Sequence, residues 1–345
     1  MRFFANPLGI IVLSGMLCPA NQLLMEAQAP GPLSEDLALE RSAPAATDLA
    51  LDAAQRLELE EALQLHDYKR AETLLVEEAG RDPKSPRTAK LLAFVGGIFF
   101  LDKQYLNSVI AWEKSQAIAP LDERSRFTLA MALIHLNRRD WARPELEKLV
   151  AAQPKNPVYL YWLARLDYDG RDYGAAITKF KKVTEIDPKM MRAYHGLGLC
   201  HDYVGQLDEA INDYHRAIEL NRQQLKPSPW PNVDLGVALI EKNRLSDAEK
   251  TLREAIRYDP RLPQAHYELG RVLDKQHQSQ DAIDELKRAA EFDTAYPDPH
   301  YRLGQIYRRL GKNELAKTET DLFLQLKKAA ETQPTLKSQV VSQQP

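Results

Sequence analysis

The feature that most restricts the fold of this chain is a pattern that recurs every 34 residues. Small side chains form one column of the pattern, and its steps are 34 residues except for 37 after the first member and 38 after the fifth: Ala71, Ser108, Ala142, Ala176, Ala210, Ala248, Ala282 and Ala316. A fixed period of this size indicates that one structural unit is repeated and stacked. The chain is therefore predicted to be a repeat array rather than a set of unrelated globular domains.

Two further columns keep the same phase and describe the repeating unit. One is a large residue followed by glycine or alanine, thirteen residues before the small column, as in Leu197 with Gly198. The other is apolar or aromatic, four residues after the small column: Leu75, Trp112, Leu146, Phe180, Tyr214, Leu252 and Leu286. Offsets of four and seven residues place side chains on one helical face, and prolines such as Pro154 and Pro188 end most units. Each unit is predicted to contain two helices that pack on each other.

These columns resemble those of the tetratricopeptide repeat family, whose 34-residue unit is a helix, a turn and a second helix. The best agreement lies in one segment, through Tyr194, Gly196, Leu197, Gly198, Gly205, Ala210, Tyr214 and Ala217. The resemblance implies an all-α fold, a right-handed superhelix of about eight helix-turn-helix repeats. The array is expected over residues 52–330, in units 52–85, 89–122, 123–156, 157–190, 191–224, 229–262, 263–296 and 297–330.

Four extra residues separate the fifth repeat from the sixth, and the segment contains Pro227, Pro229 and Pro231. The added length equals about one helical turn. We therefore expect the second helix of the fifth repeat to continue through Leu225 before a proline-stiffened link. A bend in the stack and a harmless surface insertion are both compatible with this pattern.

The N-terminal segment has the pattern of a signal peptide. Arg2 precedes an apolar run over residues 8–17, which is shorter than the roughly 20 residues that span a bilayer. Residues 1–29 are therefore predicted to be a cleaved leader, with cleavage after Ala29 or Ala20. An uncleaved anchor and a lipid-modified Cys18 are the alternatives. The protein is expected to be exported to the periplasm or secreted, and to associate with a membrane only through this apolar segment.

Two segments outside the repeats are predicted to be flexible. Residues 30–51 are rich in alanine, proline, serine and acidic residues, and residues 331–345 are rich in glutamine, serine, threonine and proline. Such compositions bury little apolar surface. The first is interpreted as a linker and the second as a disordered tail.

Composition and motifs argue against nucleic-acid binding and catalysis. The formal net charge is -3, and no basic stretch marks a nucleic-acid interface. The sequence contains no phosphate-binding loop, zinc-hydrolase motif or nucleophile elbow, and its eight histidines are scattered along the array. We therefore expect no enzymatic activity, metal or cofactor. Cys200, the only cysteine beyond the leader, is expected to be a small core residue.

The resemblance also implies which residues face a partner, because first helices in this family line a binding groove. Ten residues are selected as candidate contacts: Phe127, Tyr161, Arg165, Tyr168, His195, Tyr203, Tyr267, Arg271, Tyr301 and Arg308. The same register includes Leu199, Asp202, Val233, Val237, Glu241, Lys275, Gln305 and Arg309. Tyrosine and arginine are enriched at binding surfaces. The cations of the last two repeats favour an acidic or carbonyl-rich segment of the partner.

The functional expectation is a non-enzymatic scaffold or adaptor that binds a partner polypeptide in the groove of the repeat superhelix. The alternative is a periplasmic or envelope assembly chaperone or carrier that holds extended peptides transiently. The two differ in dissociation rate, which is slow for a scaffold and fast for a carrier. The sequence does not identify the partner.

Overall fold

The computed structural model describes residues 49–341, with side chains up to residue 331, and every regular element in that span is a helix. The helices are α1 (Ala53–Gln64), α2 (Tyr68–Arg81), α3 (Pro86–Leu101), α4 (Tyr105–Gln116), α5 (Glu123–His135), α6 (Arg139–Ala152), α7 (Pro157–Asp169), α8 (Tyr173–Ile186), α9 (Met191–Tyr203), α10 (Leu207–Asn221), α11 (Trp230–Glu241), α12 (Leu245–Tyr258), α13 (Pro263–Lys275), α14 (Ser279–Phe292), α15 (Asp298–Arg309) and α16 (Asn313–Val341). Odd-numbered helices are the first helices of their repeats, and even-numbered helices are the second. The predicted all-α, helix-turn-helix fold is confirmed.

The described helices belong to two compact units. Unit 1 is Met1–Leu136 and contains α1 to α5, whereas unit 2 is Asn137–Pro345 and contains α6 to α16. In unit 2 each helix from α6 onwards packs against the next one, and one apolar core extends from Ala210 on α10 to Ala316 on α16. Within residues 49–341, no helix combines the length and apolar character needed to cross a membrane.

The predicted leader at residues 1–29 lies outside the described residues, as does most of the predicted linker at residues 30–51. The described end of that linker is part of the core. Leu49 and Leu51 are buried and belong to the apolar cluster of unit 1. The composition of the segment is polar on average, but these two leucines bury their side chains beside the first repeat.

Two helices extend beyond the predicted repeat limits. α3 begins at Pro86, three residues before the expected start at residue 89, because the Ser85 side chain accepts a hydrogen bond from the Thr88 amide and caps the helix. α16 continues to Val341, so part of the segment predicted as a disordered tail from residue 331 is helical.

Glycines on first helices allow large side chains of second helices to approach the backbone. A Cβ atom added to Gly96 would lie 2.7 Å from the indole of Trp112, and one added to Gly236 would lie 2.7 Å from the Leu252 side chain. Both distances are well below van der Waals contact. The alternation of small and large columns in the sequence therefore corresponds to direct packing of α4 on α3 and of α12 on α11.

The insertion between the fifth and sixth repeats corrects one prediction, because α10 ends at Asn221 and does not continue through Leu225. The buried Asn221 side chain donates to the Ser228 carbonyl at 2.7 Å and accepts from the Ser228 amide at 2.8 Å. These two bonds hold an open loop in which Leu225 is fully exposed. Pro229 then stands at the N-terminal cap of α11.

Candidate functional site

The candidate site is a face of unit 2 formed by the first helices α7, α9, α11, α13 and α15. Successive first helices from α7 to α15 contact one another, and each also contacts its neighbouring second helices. Side chains at positions five, nine, twelve and thirteen of successive repeats therefore lie side by side. We call this surface the first-helix face.

The structure separates the ten predicted contact residues by exposure. Phe127, Tyr161 and Tyr168 are buried, at 2%, 4% and 6% exposure. Five are partly exposed, Arg165, His195, Tyr203, Tyr267 and Arg271, and two are exposed, Tyr301 and Arg308. The three buried rings are a correction to the prediction, because they pack within the fold and present almost no surface to a partner.

Aromatic rings join the first helices of the fourth and fifth repeats. The rings of Tyr168 on α7 and Tyr203 on α9 meet edge to face, with centroids 5.7 Å apart. Tyr173, at the start of α8, stacks on Tyr203 with centroids 4.8 Å apart. The guanidinium of Arg165 lies 5.8 Å from the Tyr168 ring and pairs with Asp169 at 3.1 Å. The Tyr203 ring therefore packs against residues of α7 and α8.

A polar contact joins the fifth and sixth repeats. His195 Nε2 on α9 lies 2.6 Å from Oδ2 of Asp234 on α11, and both side chains are less than one-fifth exposed. The candidate list contained His195 and omitted Asp234. Asp234 occupies position six of its repeat, next to position five, which the family register selects. The same two positions hold Tyr161 with Gly196 in the preceding repeats, so the repeat register alone gives no signal for the pair.

Acidic side chains concentrate at the centre of the first-helix face. Asp202 on α9 is partly buried, and its charged neighbours are Glu241 and Asp234, both on α11. Burial and, to a smaller extent, these two negative charges raise the pKa of Asp202 to about 7. The centre of the face is therefore acidic and contains a carboxyl that titrates near neutral pH.

Sequence comparison identifies the family of this array. Models described as tetratricopeptide repeat match residues 127–191, 192–224, 233–299 and 297–329, more than half of the chain. The chain belongs to the tetratricopeptide repeat family. The matches begin at the third repeat predicted from the sequence and include the first-helix face except for the first three residues of α11.

Two curated proteins share part of this tetratricopeptide repeat array. A BBSome complex member from Bos taurus is 29% identical over 86 residues, which is 25% of this chain and 16% of that protein. Anaphase-promoting complex subunit 3 from Dictyostelium discoideum is 32% identical over 76 residues, which is 22% of this chain and 8% of that protein. The chain thus spans only a small part of the length of either relative.

Solved structures show the same tetratricopeptide repeat fold over longer stretches. A repeat protein from Parabacteroides merdae has a TM-score of 0.58 and 15% identity, and the match covers 81% of this chain and 99% of that one. The type IV pilus biogenesis factor PilW has a TM-score of 0.52 and 18% identity, covering 57% of this chain and 90% of that one. At these identities the similarity concerns the fold alone.

Two of the four cations expected on the inner side of the last two tetratricopeptide repeats are engaged within the protein. Arg271 pairs with Glu268 on its own helix at 2.5 Å, and Arg309 on α15 pairs with Asp274 on α13. Lys275 and Arg308 are exposed and make no such pair among the described residues. The cationic surface expected for an acidic partner is therefore smaller than the sequence indicates.

The remaining histidines of unit 2 with carboxylate partners connect the two helices of single repeats. His201 pairs with Asp213, His266 with Glu285 and His300 with Glu319, each at 2.6 Å. Within the described part of the chain, no three His, Cys, Asp or Glu side chains converge as metal ligands. These pairs fasten the helices of the repeats to each other.

Cys200 occupies the core of unit 2, as predicted. Its side chain is fully buried on α9, and burial raises the pKa of its thiol to about 12. A thiol with so high a pKa is protonated at neutral pH and is a poor nucleophile. Cys200 therefore acts as a small apolar side chain.

Proposed function

We propose that this protein is a non-enzymatic scaffold that binds a partner polypeptide along the first-helix face of unit 2. The tetratricopeptide repeat is generally a protein-interaction fold, and its stacked units offer extended surfaces to other chains. The observation that supports this site best is the row of partly exposed tyrosine, arginine, histidine and aspartate side chains on neighbouring first helices.

The chemistry of the face suits a polypeptide ligand. Tyrosine and arginine contribute a large share of binding energy at protein interfaces, because they combine apolar contact area with polar groups. Leu199 and Val237 are partly exposed between the polar side chains, so the face also offers apolar contacts. Alternating apolar and polar groups match the side chains and backbone of an extended segment.

A crosslinking experiment tests the site. A photoreactive residue placed at position 199 should capture the partner in the native host, and mass spectrometry would identify it. Val237→Arg should reduce this capture about tenfold, because a long charged side chain would obstruct the face. Val76→Arg is the matched control, because Val76 is an exposed valine on α2 in unit 1.

Equal capture by the Val237→Arg and Val76→Arg proteins would contradict the proposed site. Once the partner is identified, the dissociation rate of its complex with this protein distinguishes a scaffold from a carrier. A complex that dissociates within a second or so would mark a carrier that holds peptides transiently, and a complex that lasts minutes would mark a scaffold.

We also propose that the protein acts outside the cytoplasm. The support is the basic residue and apolar run of residues 1–29, which have the features of an export signal. Fractionation of the native host, with the mass of the mature N-terminus determined by mass spectrometry, tests this proposal. Recovery of the full-length chain in the cytoplasm would reject it.

A further inference from the structure

The centre of the first-helix face carries more negative charge than the protein neutralises. Asp234 is paired with His195, but Asp202 and Glu241 form no hydrogen bond or ion pair with other described side chains. Asp202 is partly buried, and its charged neighbours are the partly buried Asp234 and the exposed Glu241. Removing a carboxylate from water without supplying a cation is unfavourable, so an additional positive charge would stabilise this arrangement.

A buried hydroxyl beside the same carboxylates also has no partner. The Tyr214 side chain extends from α10 across Gly198 on α9, and it is completely buried. Its hydroxyl forms no hydrogen bond with any described group, and its nearest charged neighbours are Asp234 and Asp202. Buried hydroxyls in folded proteins almost always have a partner. The unpaired hydroxyl therefore indicates that a polar group belongs at this place.

An aromatic ring lies next to Asp202 along α9. Tyr203 follows Asp202 directly in α9 and is held by its contacts with Tyr168 and Tyr173. The face of an aromatic ring attracts a cation, and the attraction increases where water is partly excluded. The nearby guanidinium of Arg165 is paired with Asp169 on its own helix at 3.1 Å.

We propose that Asp202, Glu241, Tyr203 and Tyr214 form a subsite for the cationic head of an arginine or lysine side chain in the partner polypeptide. This inference rests on the proposed function, because it assigns a chemistry to the centre of the same face. The two carboxylates accept hydrogen bonds from the cation, and the Tyr203 ring lies beside it. The Tyr214 hydroxyl, buried one layer deeper, supplies a polar contact through a water molecule.

Four labelled peptides of equal length test the subsite on the full chain. Hexa-arginine, hexa-lysine, hexa-glutamate and a neutral glycine-serine hexapeptide are titrated and binding is followed by fluorescence anisotropy. Hexa-arginine or hexa-lysine should bind at least about tenfold more tightly than the acidic and neutral peptides. Tighter binding of hexa-arginine than of hexa-lysine would assign the subsite to a guanidinium, and the reverse would assign it to an ammonium.

Two conservative substitutions separate recognition from folding. Asp202→Asn should weaken binding of the basic peptide about tenfold, and Tyr214→Phe about threefold, whereas neither should lower thermal stability. Asp284→Asn is the matched control, because Asp284 is an exposed carboxylate on the second helix α14. The control should bind the basic peptides as the wild type does.

Specific outcomes would overturn the subsite. Equal affinity for acidic and basic peptides, or equal effects of Asp202→Asn and Asp284→Asn, rejects it. If the neutral or acidic peptide binds best and Val237→Arg abolishes that binding, the proposed function stands and the cationic subsite is wrong. If every peptide binds Val237→Arg as tightly as wild type, both proposals are wrong.

Discussion

One residue in each turn between paired helices adopts a left-handed backbone conformation. These residues are His66, Lys103, Asn137, Arg171, Gly205, Asn243, His277 and Gly311. In seven of the eight turns, all but the one at Asn137, the amide after the left-handed residue bonds to a carbonyl five residues earlier, as from Gln206 to His201 at 2.8 Å, which closes the end of the first helix. Only two of the eight are glycine, so the glycine content of the sequence does not reveal this feature.

The turn conformation predicts opposite effects for two substitutions. His277→Gly should raise the free energy of unfolding by about 0.5–1 kcal/mol, because His277 has a φ of 64° that is strained for a residue with a Cβ atom. Gly205→Ala should lower it by about 1 kcal/mol, since Gly205 has a φ of 77°. Urea unfolding monitored by circular dichroism measures both, and a change of the same sign in both variants would contradict the explanation.

At the scale of helices, one side chain decides how the fifth repeat connects to the sixth. The extra residues were expected to lengthen α10. Instead, the side-chain amide of Asn221 forms hydrogen bonds with the backbone N–H and C=O groups of Ser228, and the helix ends at Asn221. The periodicity of the sequence cannot show this contact, because it joins residues across an irregular loop. The number of added residues alone does not determine whether they form a helical turn or a loop.

Removing the side-chain amide of Asn221 should destabilise the loop between the fifth and sixth repeats. Asn221→Ala should lower the free energy of unfolding by about 1–3 kcal/mol, because it leaves the Ser228 amide and carbonyl without their partners. Gln224→Ala in the same loop is the control, since Gln224 is exposed, and it should change stability by less than about 0.5 kcal/mol. Similar urea midpoints for the two variants would show that the Asn221 bonds do not hold the loop.

At the scale of the whole molecule, the acidic centre of the first-helix face connects binding to stability. Burial, Glu241 and Asp234 raise the pKa of Asp202 from 3.8 to about 7. Below about pH 4 the carboxyl is protonated in the folded and the unfolded chain, and its contribution to stability is fully present. As the pH rises from about 4 to about 7, the unfolded chain is ionised while the folded chain is still protonated, and that stability is lost.

Asp202→Asn should therefore stabilise the protein at neutral pH. The variant should exceed the wild type in free energy of unfolding by on the order of 2 kcal/mol at about pH 8 and by much less at about pH 4. Urea titrations at the two pH values measure the difference, with Asp284→Asn as the control. A gap that is independent of pH would show that Asp202 ionises normally. Higher stability with weaker binding of a basic peptide would mark Asp202 as a binding residue retained at a cost in stability.

The sequence by itself determined the repeat, the pairing of helices and the register of the first-helix face, because these depend on small and large residues at fixed spacing along one chain. Only the tertiary structure decided that Tyr161 and Tyr168 are buried, that Arg271 is paired, and that Asp202 lies among acidic neighbours. Burial and charge pairing depend on side chains from adjacent repeats, and the register of one repeat does not specify how far those side chains reach.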